Sequence, residues 1–493
     1  MKNEQIRDLV FYEIYPTSFF DSNNDGIGDL KGIEEKLEHV KSLGCNAIWL
    51  NPFYVSPFKD GGYDVKDFFD VDPRFGTIKD FESLINKAHS LGIKIIIDLV
   101  AGHASEENKL FLESAKPYRN EYSDLFIWNS SVWDLEQPYR LIAGRHDRFA
   151  CYMVNFFSTQ PAFNFGFNEI THPKWQISYK DERTFKARDY IVSICDFWLS
   201  KGADGFRVDM ADSLVKNDDS KVATIEVWKY MFKKIRAKHK DAIFVSEWCN
   251  PTRSLTAGFD MDFVLDHWDN AGHFFARATE NTVGTAVLNG GDFTNFINDY
   301  RNRVNDAKNA DGYLAFISGN HDTPRIASYL DDEKLRLFYL FLLTTPGTPF
   351  IYYGDEIAMK HANLSSKDGG YQRTGDRTPM QWNKSKNAGF STCDTLYLPT
   401  CLENTNNVED FINDENSIYH YIKNLIAFRK NSASLKSDDF DIKEQNRILK
   451  IKRGDLTVIM NLSTSDININ QESIVFGEKT SILKPNKGVI IKN

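Results

Sequence analysis

Long apolar runs are missing from this chain of 493 residues: no stretch of about 18 consecutive apolar residues occurs, so a membrane-spanning helix is not expected. Positive charge is in deficit. With 59 Lys and Arg against 69 Asp and Glu the net charge is −10, which argues against nucleic acid as a partner, because phosphates attract a basic surface. Cysteine is sparse and scattered, at 45, 151, 195, 249, 393 and 401, with no C-x-x-C pair and no zinc spacing. Free thiols in a reducing compartment are expected. The opening "MKNEQIRDLVFYEIYP" has no apolar signal core or small-residue cleavage site. A cytoplasmic location is the expectation, although a processed secreted chain would read the same way. Repeats and low-complexity segments are lacking too, and oligomeric state is not written in the sequence.

What is present is a globular composition, 42% apolar and 26% charged, with 14% aromatics that include 37 Phe. The length exceeds one ordinary core, so two or three domains are expected. Short apolar runs recur, each followed by a stretch with helical period: "VFYEIYP", "AIWLNP", "IKIIIDLV", "ADGFRVD", "AIFVSEW", "FDMDFVLD", "LAFISGNHD" and "TPFIYYGDE". Such alternation implies a parallel sheet, and eight units suggest an α/β (β/α)8 TIM barrel, with an open doubly wound sheet as the alternative. An irregular, aromatic, polar stretch after His103 is too long for a simple loop and reads as a small inserted domain after the third strand. From about residue 435, "RILKIKRGDLTVIMNL" and "KGVIIKN" alternate as in an all-β sandwich domain. The expected division is barrel 1–103, insertion 104–175, barrel 176–434 and C-terminal β domain 435–493.

Functional groups of such barrels sit at the C-terminal ends of the strands. In "GFRVDMAD", Arg207 and Asp209 are two apart and share one face of a strand. A carboxylate beside a permanent guanidinium is expected to keep a low pKa, which suits a nucleophile. Glu247 in "FVSEW" follows an apolar run and precedes Trp248, surroundings that raise a carboxyl's pKa as a general acid requires. "SGNHD" adds His321 and Asp322 at another strand end. Singly, each acid could be a helix cap or an ion-pair partner; three of them on three strand ends, with two histidines, are hard to explain that way.

Here the chain resembles the α-amylase family of glycoside hydrolases over essentially its whole length. The strand-end motifs are "DLVAGH" (98–103), "GFRVD" (205–209), "SEW" (246–248) and "SGNHD" (318–322), with "GGYDV" (61–65) and "QPAFN" (160–164) in support. The resemblance implies Asp209 as nucleophile, Glu247 as acid and base, and Asp322 as the binder of the sugar's 2- and 3-hydroxyls. It implies that Arg207 holds Asp209 ionised, His103 and His321 bind hydroxyls, Tyr63 stacks on the ring and Asp98 braces the site. Retention by two carboxyls requires them about 5 to 5.5 Å apart. Gly102 stands where relatives usually carry a calcium-ligating Asn, so that calcium site is expected to be missing.

"KDGGYD" and "RTGDRTPMQW" resemble segments of the oligo-1,6-glucosidase and α-glucosidase group, in which an Asp and an Arg pair to close the pocket. That resemblance puts the pair at Asp60 and Arg377 and points to an exo-acting α-glucosidase on short α-linked gluco-oligosaccharides. Endo-amylase action and transglycosylation, as in trehalose synthase or a glucanotransferase, are the alternatives. Met210 replaces the Val usual in oligo-1,6-glucosidases, so linkage preference stays open. "DSNNDGIGDLKGI" (21–33) lacks the flanking helices and the position-twelve Glu of an EF-hand. Its oxygens at Asp21, Asn23, Asp25, the Ile27 carbonyl and Asp29 still suit a structural Ca2+; an Asx-rich turn without metal is the alternative.

Overall fold

The computed structural model describes residues 6–135, 138–265, 275–277, 286–401, 405–437 and 439–493. The first five residues, and Asp266 at the end of the sixth apolar run, lie outside them.

Eight parallel strands close into a barrel: β1 (Phe11–Ile14), β2 (Ala47–Leu50), β3 (Lys94–Val100), β4 (Gly205–Asp209), β5 (Ile243–Ser246), β6 (Met261–Val264), β7 (Tyr313–Ile317) and β8 (Thr348–Tyr352). Each bonds to the next in sequence, and β8 returns to β1. These are the eight apolar runs. They read as continuous rather than alternating because a barrel strand is covered on both faces, by helices outside and by the other strands inside.

The period of two still shows in the sorting. Phe11, Trp49, Ile96, Val245, Phe263, Ile317 and Phe350 form the interior cluster, while Tyr12, Ile48, Ile97, Phe244, Val264, Phe316 and Ile351 pack in the helix-facing core. Two residues further along the inward face, apolar gives way to polar. Glu13 follows Phe11, Asn51 follows Trp49, Asp98 follows Ile96 and Glu247 follows Val245. One end of the barrel interior is therefore lined with ionisable groups before any loop is considered.

The surrounding helices follow local rules. Helix Ile78–Ser90 starts on a capping box in which Thr77 and Asp80 satisfy each other's backbone N–H groups, and it buries Phe81, Leu84, Ile85 and Ala88 at helical spacing. Burial of its three large apolar side chains contributes about 1.5–3 kcal/mol each. Phe81 meets Trp198 of helix Phe185–Ser200 edge-on at 5.0 Å.

Between β3 and that helix runs an irregular segment built on its own aromatic contacts. Phe111 stacks on Trp128 at 5.5 Å and meets Phe126 and Tyr152 edge-on. A short hairpin pairs Leu141–Ile142 with Tyr152–Met153, and the bridge between His103 and Ala162 ties the segment to the end of β3. At the C-terminus a five-stranded antiparallel sheet is accompanied by a two-stranded one. The sheet comes so close to helix Asp332–Thr344 that a Cβ on Gly488 would lie 2.5 Å from Leu340. Arg453 donates to the Thr344 carbonyl and Arg301 to that of Ile442, fastening sheet to barrel.

Candidate active site

Arg207 stands at the centre. Alternation on β4 turns Phe206 and Val208 to the helices and Arg207 inward, where it is fully buried. A guanidinium removed from water must be paired, and three carboxylates meet it. Nη1 lies 2.7 Å from Asp98 Oδ1 and 3.1 Å from Asp209 Oδ1, and Nη2 lies 2.7 Å from Glu247 Oε1. Trp49 Nε1 and the Tyr63 hydroxyl both donate to Asp98 Oδ2 at 2.9 Å. The Met210 backbone N–H donates to Glu247 Oε2 at 3.1 Å, from a residue held in the left-handed region at φ 42°. Asp209 and Glu247 thus stand at the ends of neighbouring strands and share one guanidinium.

Three acids divide one cation, so burial prevails. Desolvation lifts Asp209 well above the usual carboxylate range; Arg207 opposes the rise and Glu247 adds to it. Glu247 is raised as well, by burial against the pull of Arg207. Each carboxylate disfavours the charge on the other, so the two titrate as a pair. This corrects the expectation that Asp209 keeps a low pKa: Arg207 does pull it down, but desolvation outweighs a guanidinium that three acids share.

The low-pKa anion of the site is Asp322. Burial acts to raise it, but His321, Arg373 and Arg377 outweigh burial and hold it well below the ordinary range. Arg373 Nη1 and Arg377 Nη2 reach its Oδ1 at 2.6 and 2.9 Å, and His321 Nε2 lies 3.0 Å from Oδ2. On its other side His321 Nδ1 is 2.9 Å from Glu13 Oε1. Burial disfavours the imidazolium, yet the two carboxylates push its pKa up to about 9. Two carboxyls at the ends of neighbouring strands are the kind of pair with which glycosidic bonds are cleaved.

The comparisons agree. The alpha amylase catalytic domain matches residues 13–438. The chain belongs to the alpha-amylase family. Among its relatives, the glucan 1,6-alpha-glucosidase of Streptococcus pneumoniae is 30% identical, covering 99% of this chain and 96% of that protein. Maltase 1 of Drosophila virilis is 30% identical over 91% of this chain and 76% of its own length. The fold of the trehalulose synthase MutB from Pseudomonas mesoacidophila MX-45 superimposes with a TM-score of 0.83 at 24% identity, covering 99% of both chains.

Within this alpha-amylase family chain, one expected pair changes partner. Asp60 Oδ1 is bridged by Arg373 Nη2 at 3.2 Å and not by Arg377. Arg377 turns instead to Asp322 and to the His321 carbonyl, 2.9 Å from its Nε. Asp60 Oδ2 accepts from Gln160 Nε2 at 2.7 Å. Nearby, Phe157 of the inserted segment stacks on Tyr371 at 5.8 Å. Both arginines lie in "RTGDRTPMQW"; the doubled Arg-Thr dipeptide was the signal that two candidates existed.

Both histidines are engaged within the protein. His103 Nε2 lies 3.1 Å from the Tyr63 carbonyl and its Nδ1 3.2 Å from Asn155 Nδ2, and burial lowers its pKa to about 4. Neutral imidazole then accepts from Asn155 and donates to Tyr63. His321 is held between Glu13 and Asp322. Tyr63 stacks on His321 at 5.1 Å. Gly102 leaves space that the Asn155 amide fills, since a Cβ there would lie 2.5 Å from Asn155 Nδ2. The half-buried Lys216 Nζ donates to Asn155 Oδ1 at 2.8 Å and to the Ser213 carbonyl at 2.6 Å, sewing the inserted segment to the loop after β4. No sequence pattern marks Glu13, Asn155 or Lys216, and "QPAFN" marks Gln160 without its partner, because each acquires its role from a residue distant in the chain.

Proposed function

We propose that this protein is a retaining α-glucosidase that releases glucose from the non-reducing end of short α-linked gluco-oligosaccharides. The observation that carries the reading is the single Arg207 guanidinium shared by Asp209 and Glu247 at 3.1 and 2.7 Å. Asp209 attacks the anomeric carbon while Glu247 gives its proton to the departing oxygen, so a β-glycosyl ester forms as the glycosidic bond breaks. Glu247, now a carboxylate, takes a proton from water, which attacks the same carbon and frees Asp209; two inversions leave the α configuration. Desolvation raises the Glu247 carboxyl, which favours the protonated form that the departing oxygen needs. Asp322, kept ionised by three cationic neighbours, accepts sugar hydroxyls and strengthens those bonds as positive charge develops on the ring.

Exo action is supported by the run of contacts Gln160–Asp60–Arg373–Asp322, which joins the inserted segment to the loop after β8 beside the catalytic acids. Such a wall blocks one end of the cleft to a longer chain. The test is product analysis from maltotriose, isomaltotriose, panose, sucrose and soluble starch. Glucose alone at early times, as the α-anomer, is the expected result; early release of longer fragments from starch would exclude exo action, and trehalose or longer oligomers from maltose would favour transfer over hydrolysis.

We further propose that the 21–29 loop holds a structural Ca2+. Buried Asp21 and Asp29, with Asp25, carry charges that meet no Lys or Arg among the described residues. Asp21, Asn23, Asp25, the Ile27 carbonyl and Asp29 offer the hard oxygens this cation takes. Asp29 also caps helix Leu30–Glu35 through the Gly32 N–H, and Ser391 donates to Asp21 Oδ2 at 2.6 Å. The ion would neutralise the loop and fix it against residues 390–397, away from the chemistry.

A further inference from the structure

One buried acid takes no part in the chemistry above. On β6, Met261, Phe263 and Leu265 belong to the barrel interior, so alternation turns Asp262 outward, behind the wall of the pocket, where it is fully buried. Its Oδ1 accepts from Ser246 Oγ at 2.6 Å, from the Trp248 N–H at 3.3 Å and from the Cys249 N–H at 3.2 Å. These donors lie immediately before and after Glu247. Cys249 sits in the left-handed region at φ 58°, a conformation that costs a non-glycine residue energy and persists only where its surroundings hold it. The Arg303 guanidinium holds the same residue's carbonyl at 2.8 Å.

We propose that Asp262 is a positioning residue for Glu247: one carboxylate oxygen gathers the three donors that bracket the catalytic acid and bends the chain so that its carboxyl points back across the barrel. The alternative at this position is an apolar side chain, which fills the space but takes the acceptor away from the Trp248 and Cys249 N–H groups where the strand ends and leaves the Ser246 hydroxyl only the Met261 carbonyl at 3.2 Å. The chain would then relax out of its left-handed kink, and Glu247 would leave Arg207 Nη2 and the Met210 N–H. The inference rests on Glu247 being the general acid.

The test uses the leaving group. A disaccharide that the enzyme hydrolyses, maltose or isomaltose, needs a proton on its departing oxygen; 2,4-dinitrophenyl α-glucoside does not. Comparison of kcat/KM isolates the step in which the proton is given. Asp262→Val is expected to lose about 10- to 100-fold on the disaccharide and far less on the aryl glucoside, with KM little moved. Asp262→Asn, whose amide oxygen still accepts, should restore most of the loss, and it serves alone if the Val variant fails to fold. Equal losses on both substrates, or none, would overturn the proposal. Glu247→Gln run alongside separates the two readings. If it shows no leaving-group selectivity the acid assignment fails; if it does and Asp262→Val does not, only the role of Asp262 falls.

Discussion

Arg207 Nη2 lies 2.7 Å from Glu247 Oε1. A strong cation in contact with a carboxyl would hold it ionised if nothing else acted, yet Glu247 is raised. The same guanidinium also serves Asp98 and Asp209, and desolvation raises both Asp209 and Glu247. Arg207 therefore fixes where the two carboxyls stand while burial decides how many protons they keep.

Glu247→Gln should lower kcat/KM on a disaccharide by about 10²- to 10⁴-fold, the range of general acid–base catalysis. Stopped assays on maltose and isomaltose check it.

Asp209→Asn should abolish hydrolysis of p-nitrophenyl α-glucoside while leaving the melting profile and circular dichroism near those of the parent. Turnover close to the parent's would remove Asp209 from the nucleophile's role.

Arg373→Ala and Arg377→Ala separate the two arginines of one segment. Arg373 alone bridges Asp60 and Asp322, so its loss should cost about 1.5–3 kcal/mol of substrate binding, on the scale of a hydrogen bond to a charged group, seen chiefly in KM. Arg377 also braces the His321 carbonyl, and its loss should lower kcat too. If Arg373→Ala leaves KM untouched, the Asp60 pair is no more than a structural ion pair.

His321 gives a pH signature. Its pKa is raised to about 9 in the folded protein, through Asp322 and Glu13 against burial, above the unfolded value near 6.5. Its contribution to stability is fully present below pH about 6.5 and is lost as pH rises through about 9. The stability gap between the parent and His321→Gln, measured by denaturant unfolding from pH 6 to 10, should be widest at the acid end and close toward the alkaline end. A constant gap would mean the ring is neutral.

Chelator should lower the melting temperature, and added Ca2+ should restore it, by mass action on the folded state. Asp21→Ala should abolish the response. No bound metal by elemental analysis of the untreated protein would remove the ion.

The eight strand segments were legible in the sequence because a strand covered on both faces must be apolar throughout, and they were found where the apolar runs stand. The acids were legible for a related reason: β4 and β5 place every second residue in the barrel, so a polar residue at the end of an apolar run can point only to the mouth. Asp209, Glu247 and Asp322 followed from that pattern and from the motifs around them.

Partnership was another matter. Whether Arg373 or Arg377 meets Asp60 is set by side chains more than 300 positions away in the chain, and both lie in one ten-residue segment with the same local sequence. The protonation of Asp209 depends on how many acids share Arg207, and those come from three different strands. Asp262 looks in the sequence like one more polar residue in an apolar run; only the turn after β5 reveals what it holds. The sequence by itself determined which residues line the barrel and which end of it is polar, because alternation and burial act locally along each strand. The tertiary structure decided which charges share which partners, because Coulomb forces and desolvation depend on distances that only closure of the barrel creates.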